Sequence, residues 1–217
     1  MRIFLDTANL EAIRHAVEIG VVDGITTNPT LLSREKGDPI EILKTICDVV
    51  KGDVSAEVVA TDSKAMIEEG RRLAAIDPHI VVKIPMTREG IRAIRVLSDE
   101  GIRVNTTLIF TPLQALLAAK AGAYLVSPFV GRLDDITHDG MQVVRDTVKI
   151  FRNYDLKTQV LAASIRHPRH VLVAALIGVD VVTLPPKVFD QLFKHPLTDI
   201  GLEKFLADWK SAGFERL

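Results

Sequence analysis

Polar side chains that could carry out chemistry stand at the ends of short apolar segments in this sequence. The most informative is Lys83, which follows Ile-Val-Val and precedes Ile-Pro. Burial disfavours the charged form of an amine, and a neutral amine can attack a carbonyl carbon to form an imine. The imine then draws electrons from a neighbouring carbon–carbon bond and allows its cleavage. The alternative is a structural lysine that reaches from its segment end to water.

Carboxylates and guanidinium groups accompany this lysine at the ends of other segments. Asp6 and Glu57 could act as general acids and bases during imine formation and proton transfer. The alternative for both is a structural ion pair with Lys83. Arg132 and Arg166 could hold a phosphate through paired hydrogen bonds, although loop arginines are more often solvated. Spacing alone therefore indicates a candidate lysine enzyme and leaves its substrate open.

Smaller polar residues occupy equivalent positions, namely Thr26, Asn28, Asn105, Thr107, Ser127 and Ser164. Alternate residues of a strand face the same way, so Asn105 and Thr107 are expected to share one side. The same argument applies to Ser55 and Glu57. Each set could converge with Lys83 at one end of the fold.

The elements that must position these residues alternate regularly along the chain. Segments of strand length lie at Arg2–Asp6, Val22–Thr26, Val54–Val59, Ile80–Ile84, Arg103–Thr107, Tyr124–Ser127, Thr158–Ala162 and Val179–Thr183. Segments with helical spacing follow near residues 9–19, 39–51, 63–76, 87–100, 111–121, 139–153, 168–177 and 186–193. Unbroken alternation predicts parallel strands joined by helices, and about eight such pairs close a barrel without free edges.

We therefore predict a single α/β domain over residues 1–217, a (β/α)₈ barrel of the TIM type with an additional C-terminal helix near residues 197–210. An open doubly wound sheet is the competing architecture, but the chain lacks the GxGxxG and GxxxxGKS/T nucleotide-binding motifs. Catalytic groups of such barrels lie at the carboxyl ends of the strands. The polar residues above are therefore expected at one mouth of the barrel.

Composition excludes several classes of protein. With 47% hydrophobic residues, 25% charged residues and a formal net charge of -1, the chain is typical of a soluble globular protein. Its lysines and arginines are scattered, which argues against nucleic-acid binding. The apolar runs are too short for a membrane span, and the first residues contain no signal core. The lone Cys47, expected to be buried, fits a cytoplasmic location.

Short motifs spread over nearly the whole chain resemble, in order, those of the small transaldolases. They are Phe4-Leu5-Asp6-Thr7-Ala8, Gly24-Ile25-Thr26-Thr27-Asn28-Pro29-Thr30, Val82-Lys83-Ile84-Pro85, Val104-Asn105-Thr106-Thr107 and Ser127-Pro128-Phe129-Val130-Gly131-Arg132. Each string is weak alone, but their order across the repeats is specific. The resemblance adds an expected chemistry to the barrel.

The resemblance implies a role for each matching position. Lys83 is similar to the Schiff-base lysine, and Asp6 to the carboxylate that takes the proton from the C4 hydroxyl of the donor imine. Glu57 and Thr107 match the pair that holds a water for proton transfers. The residues that match those binding the hydroxyl groups of the dihydroxyacetone unit are Thr26, Asn28, Asn105 and Ser127. The groups that resemble the phosphate site are Arg132, Ser164 and Arg166, and Phe129 is expected among the substrate-binding residues.

The reaction that the resemblance implies is a reversible transfer of a dihydroxyacetone unit in the pentose phosphate pathway. The donors would be fructose 6-phosphate or sedoheptulose 7-phosphate, and the acceptors erythrose 4-phosphate or glyceraldehyde 3-phosphate. Neither a metal nor an organic cofactor is implied, because the protonated imine is itself the electron sink.

Two alternatives stay open beside transfer. Fructose 6-phosphate aldolases share almost all of these motifs and release free dihydroxyacetone, but they have glutamine where Glu57 stands and tyrosine where Phe129 stands. Phe129 could also be a packing residue beside Pro128. A barrel that binds sugar phosphates without catalysis is the other alternative, and the retained Lys83 argues against it because burying an amine is costly.

The predicted C-terminal helix has an apolar face that could take part in oligomer assembly. The resemblance to small members of this family implies a ring-shaped homo-oligomer, usually a pentamer that pairs into a decamer. In such rings the terminal helix packs on a neighbouring subunit. Leu202, Phe205, Leu206 and Trp209 would form the face that packs there. The alternative is that this face packs on the barrel of its own chain.

Overall fold

Eight short runs of mainly aliphatic residues form the strands, which lie next to one another in chain order. In the computed structural model, which describes residues 1–213, they are β1 (Arg2–Asp6), β2 (Gly24–Thr26), β3 (Asp53–Glu57), β4 (Ile80–Pro85), β5 (Val104–Ile109), β6 (Leu125–Pro128), β7 (Gln159–Ala162) and β8 (Val181–Leu184). Every neighbouring pair is parallel, and β8 pairs with β1 to close the barrel. The predicted (β/α)₈ barrel is confirmed.

Helices follow the strands, and most of them cover the outside of the barrel. They are α1 (Leu10–Glu18), α2 (Pro29–Leu32), α3 (Pro39–Val50), α4 (Ser63–Ala74), α5 (Arg88–Asp99), α6 (Pro112–Lys120), α7 (Val130–Asp134), α8 (Gly140–Asn153), α9 (Pro168–Ile177), α10 (Pro186–Gln191) and α11 (Pro196–Ser211). Several begin after a residue whose side-chain oxygen accepts a backbone N–H of the first turn, such as Asn9, Asp62 and Asp139. Sequence periodicity did not predict α2 and α7, because four or five residues are too few to show a helical repeat.

Seven of the eight strands differ from their predicted extents, each by one or two residues at one or both ends, and for two of them the reason is clear. The third was predicted to reach Val59, but β3 ends at Glu57 because the N–H groups of Val59 and Ala60 donate to the Glu69 carboxylate instead of to a strand. The fifth extends past Thr107 to Ile109 through a register irregularity in its pairing with β6. Leu108 adopts a positive φ of 58° there. Bulges of this kind re-aim neighbouring side chains and are frequent beside functional sites.

Residues that alternate along the strands fill the barrel interior. One buried cluster consists of Phe4, Val81, Leu125, Leu161, Ala163 and Val181. Since side chains two positions apart in a strand face the same side, the residues that follow four of these on the same face are Asp6, Lys83, Ser127 and Thr183. The apolar interior therefore forms a floor under a ring of polar groups. The opposite strand faces pack against the helices in a second, larger cluster.

The terminal helix is present as α11, close to its predicted extent. None of its residues is buried within this chain, and Leu202, Phe205 and Leu206 are exposed. These three side chains therefore make little contact with the barrel of their own chain. The domain was predicted to run to residue 217, and residues 214–217 lie outside the described part. Within residues 1–213, no helix is long and apolar enough to cross a membrane.

Candidate active site

A cavity of about 490 Å³ opens at the carboxyl ends of the strands, where a barrel places catalytic groups. Its polar and charged lining consists of Asp6, Thr26, Asn28, Arg34, Lys83, Ser127, Arg132, Ser164, Arg166, Thr183 and Lys187. An adjoining cavity of about 390 Å³ is also lined by Lys83 and adds Glu57 and Thr107. The structure thus brings almost all of the predicted site residues to one mouth.

Lys83 lies between these two cavities and is only 5% exposed. Its Nζ lies 3.0 Å from Glu57 Oε2 and donates a hydrogen bond of 3.1 Å to the backbone carbonyl of Thr27. The alternative in which Lys83 extends to water is therefore wrong. The ion pair with Lys83 that the sequence offered for Glu57 is therefore present. The same carboxylate is within reach to accept a proton from the amine.

Asp6 is connected to the ring of polar groups through two threonines. Thr26 Oγ1 donates to Asp6 Oδ1 over 2.8 Å, and Thr183 Oγ1 lies 2.6 Å from Thr26 Oγ1. Because the Thr26 proton is directed at Asp6, the Thr183 hydroxyl must donate to Thr26. Burial raises the pKa of Asp6, and the positive charge of Lys83 and the Thr26 hydrogen bond offset this effect only partly. Asp6 is therefore suited to exchange a proton.

Asn105 has a more structural position than the sequence suggested. Its Nδ2 donates to Ser55 Oγ over 3.1 Å, and its Oδ1 accepts from Ser127 Oγ over 2.6 Å. The residue is fully buried and is not among those lining the two cavities, whereas Ser127 does line the larger one. Asn105 thus fixes the Ser127 hydroxyl and contacts the mouth through it.

Thr107 is buried beside the irregularity in β5 and lines the smaller cavity with Glu57. Its hydroxyl makes no hydrogen bond to any other group of the described chain. A buried hydroxyl without a protein partner is uncommon and calls for an explanation. The hydroxyl oxygen itself is covered, beside the wall of the smaller cavity.

Cations line part of the larger cavity. Arg132 on α7 and Arg166 after β7 face it together with Ser164. Ser164 adopts a positive φ of 57°, and its carbonyl accepts from Gly131 N over 2.9 Å. Arg166 forms a 2.8 Å ion pair with Asp135. This end of the cavity is suited to bind a phosphate group.

Phe129 contacts a second aromatic ring and a guanidinium group in the cavity wall. Its ring packs edge-on against Phe110, with centroids 5.8 Å apart, and the Arg132 guanidinium lies 5.9 Å from its centroid. Phe129 also lines both cavities. It is therefore both a packing residue and part of the cavity wall.

Comparison with known proteins decides the family. A sequence model described as Transaldolase/Fructose-6-phosphate aldolase matches residues 3–215. The chain belongs to this family. It is 62% identical over 210 residues to a probable transaldolase of Kosmotoga olearia, covering 97% of this chain and 96% of that one. It is 57% identical to a probable transaldolase of Nitrosopumilus maritimus, covering 99% and 97%, and 55% identical to one of Syntrophobacter fumaroxidans, covering 100% of both.

Three polar or charged residues of the larger cavity were not singled out from the sequence of this family member. Thr183 stands two positions after the interior residue Val181 at the end of β8, so the alternation rule applied to the other strands could have found it. Arg34 and Lys187 carried no such signal, because they follow strands in loops and short helices. Within residues 1–213, no group of three or more His, Cys, Asp or Glu residues has an arrangement that could hold a metal ion.

Proposed function

We propose that this protein is a transaldolase that transfers a dihydroxyacetone unit reversibly between sugar phosphates through a Schiff base on Lys83. The observation that carries the proposal is the 3.0 Å pair between the Lys83 amine and the Glu57 carboxylate, beside a cavity that Asp6 lines. The relatives named as probable transaldolases support the same reaction.

Imine formation requires the Lys83 nitrogen to lose a proton before it attacks C2 of the ketose. Glu57 lies within hydrogen-bond distance of that nitrogen and can accept the proton. Thr107 lines the same cavity as Glu57 and has a hydroxyl that is not bonded within the described chain. Together the two side chains can hold the water that leaves the carbinolamine when the protonated imine forms.

Cleavage of the C3–C4 bond requires a base near the C4 hydroxyl, and Asp6 is the second carboxylate at the mouth. When Asp6 takes that proton, the electrons of the C3–C4 bond move into the imine, an aldehyde leaves, and an enamine stays on Lys83. A carboxyl group with a raised pKa can both accept this proton and return it to the acceptor oxygen.

The remaining residues bind the sugar. Asn28 and Ser127 line the larger cavity beside Lys83 and have polar groups suited to the hydroxyls of the dihydroxyacetone unit. Arg132, Ser164 and Arg166 lie at its phosphate-binding end. Substrates with an aldose phosphate at the far end would span the cavity between the amine and these cations.

Fructose 6-phosphate aldolase activity is the second candidate, because the family includes such enzymes. Glu57 and Phe129 favour transfer. A carboxylate beside Lys83 is a stronger base than the glutamine of the aldolases, and a phenyl ring offers no hydroxyl to protonate the enamine. An enamine that is not protonated persists until an acceptor aldehyde arrives.

The test is to incubate the protein with fructose 6-phosphate, with and without erythrose 4-phosphate, and to measure sedoheptulose 7-phosphate and free dihydroxyacetone together. Sedoheptulose 7-phosphate that depends on the acceptor, with little free dihydroxyacetone, supports transaldolase. Free dihydroxyacetone at the same rate without acceptor supports the aldolase instead. Borohydride should trap a sugar adduct in the wild type and in Lys44→Ala, an exposed control on α3, but not in Lys83→Ala.

We place the enzyme in the pentose phosphate pathway of the cytoplasm, as a homo-oligomer, a pentamer or a decamer, with α11 on a neighbouring subunit. The exposed side chains of Leu202 and Phe205 support that assembly, because apolar faces of this size are usually covered. Phe205→Glu should lower the molar mass in solution, whereas the exposed control Lys204→Glu should not.

A further inference from the structure

His170 connects the two segments that form the phosphate-binding end of the cavity. It lies in the first turn of α9 and is only 8% exposed. Its Nε2 lies 3.0 Å from Asp134 Oδ2, at the end of α7, and its Nδ1 accepts the backbone N–H of Arg166 over 3.3 Å. One imidazole thus bonds the helix that carries Arg132 and the loop that carries Arg166.

These two bonds require one form of the ring. Nδ1 can accept the Arg166 N–H only when it carries no proton, so the proton of the neutral ring must be on Nε2, where it is donated to Asp134. A protonated ring would place a second N–H against the Arg166 N–H, and that bond would be lost. The connection therefore depends on the charge state of His170.

The loop between β7 and α9 needs such support. Ser164 adopts a positive φ of 57°, a conformation that persists in a residue other than glycine only when its surroundings determine it. Gly131 on α7 packs so closely that an added Cβ would lie 2.3 Å from the Ser164 carbonyl oxygen and 2.4 Å from Arg166 Nε. Small movements of the loop relative to α7 would therefore displace the side chains that face the phosphate.

We infer that His170 is a positioning residue for phosphate binding, which in its neutral form holds the Arg166 backbone against α7 and releases it when protonated. The inference rests on the proposed function only in taking Arg132, Ser164 and Arg166 as the phosphate-binding groups. Its consequence is that anion affinity at this end of the cavity falls in acid.

Among the described residues, the charged and titratable groups that face the His170 ring are Asp134 on α7, His167 and Arg166. The ring centroids of His167 and His170 lie 3.7 Å apart, and the two ring planes are tilted by 42°. Burial lowers the pKa of His170, the charges of His167 and Arg166 act in the same direction, and Asp134 opposes them. The neutral, bonded form is therefore the one present at neutral pH, and the loss sets in below the ordinary histidine range.

Sulfate is the probe that tests this inference, because its charge is constant between pH 5 and 8 whereas a phosphate ester titrates near pH 6. Calorimetry would give its dissociation constant for the wild type, His170→Phe and His170→Asn. Phenylalanine keeps a ring without either hydrogen bond. Asparagine places an amide oxygen where Nδ1 stands and does not titrate. His15→Asn, on the exposed side of α1, is the matched control.

We expect His170→Phe to weaken sulfate binding about tenfold near pH 8, which is the effect of one lost hydrogen bond, and His170→Asn to restore most of it. As the pH falls toward about 5, the wild type should lose affinity for sulfate relative to His170→Asn. The reason is that the His170 ring of the wild type gains a proton, whereas the asparagine of the variant does not titrate. The His15→Asn variant should follow the wild type throughout.

Equal sulfate affinity of His170→Phe and the wild type would overturn the inference. So would a ratio of the wild-type and His170→Asn dissociation constants that does not change with pH. A purely structural role would weaken both variants alike at every pH. Sulfate binding requires no turnover, so a wild type that binds sulfate but gives no borohydride-trapped adduct would count against the proposed function alone.

Discussion

Glu57 Oε2 lies 3.0 Å from Lys83 Nζ, and the two residues are register partners on the adjacent strands β3 and β4. Direct pairing across a parallel ladder fixes the backbone positions of both residues, so their proximity does not depend on a flexible loop. Asp6, by contrast, is held through Thr26 and makes no ion pair within the described residues. The two carboxylates thus have different surroundings, which allows them different roles around one amine.

Replacing Glu57 by glutamine should slow the reaction at imine formation. The amide cannot accept the Lys83 proton, and loss of a general base typically costs about 100-fold in rate. We expect the rate of borohydride trapping to fall with kcat, and the fraction of dihydroxyacetone released without acceptor to rise. Glu41→Gln, at an exposed pair with Lys44, is the control. Unchanged trapping and turnover would mean that the Lys83–Glu57 pair is only structural.

The chain of hydroxyls that ends at Asp6 should control the acid side of the pH–rate profile. Asp6 must be ionised to take a proton, so activity rises with pH as its carboxyl group ionises. Thr26→Val removes a hydrogen bond that stabilises the carboxylate, which raises the pKa of Asp6 further and moves the acid limb of kcat/KM upward by about half a pH unit. Thr183→Val should give a smaller shift of the same sign.

Thr147→Val is the control for both threonine variants, because Thr147 is buried in α8 and donates only to the Val143 carbonyl within the described chain. Its acid limb should coincide with that of the wild type. A downward shift in Thr26→Val would contradict the assignment of Asp6 as the base, since losing a donor cannot stabilise a carboxylate.

Strand alternation explains why much of the site could be predicted. Once Lys83 is placed at a strand end, the period of two brings Asp6, Ser127 and the other strand-end residues to the same face, whatever the helices do. The barrel itself follows from the repeated order of strand and helix. Both inferences use local spacing, which the sequence contains.

The hydrogen bonds between particular side chains could not be predicted in the same way. That Asn105 bonds Ser55 and Ser127 rather than lining the cavity depends on the stagger of three strands, and no spacing in the chain encodes it. The same holds for Lys187, which reaches the mouth from a six-residue helix. His170 carried no signal either, because an isolated histidine in an apolar helix does not reveal which groups its two nitrogens meet.

The close packing of Gly131 should make it sensitive to a single methyl group. In Gly131→Ala, the added Cβ would lie 2.3 Å from the Ser164 carbonyl oxygen, so α7 and the loop after β7 must separate. We expect KM for fructose 6-phosphate to rise about tenfold, equivalent to about 1.4 kcal/mol of binding. Imine trapping with unphosphorylated dihydroxyacetone should be retained, because Lys83 lies on β4. Gly201→Ala on α11, where a Cβ meets open space, should change neither value.

At the opposite end of the barrel, Asp53 should make stability depend on pH. Its carboxylate accepts from Arg2 over 2.7 Å, from Tyr124 over 3.0 Å and from Arg103. Burial alone would raise the pKa of Asp53, but these three donors together outweigh it and lower the pKa. A lowered pKa means that the stabilisation is complete above the ordinary aspartate value of about 3.9 and is lost as the pH falls below it.

Asp53→Asn should therefore lower the free energy of unfolding by about 1–3 kcal/mol near pH 7, because both guanidinium groups lose a charged acceptor. The difference from the wild type should narrow as the pH falls below about 4, where the wild-type carboxylate also becomes protonated. Urea unfolding at fixed protein concentration measures it, with Asp48→Asn on the exposed side of α3 as the control. A difference that persists unchanged in acid would show that Asp53 contributes through packing and not through its charge.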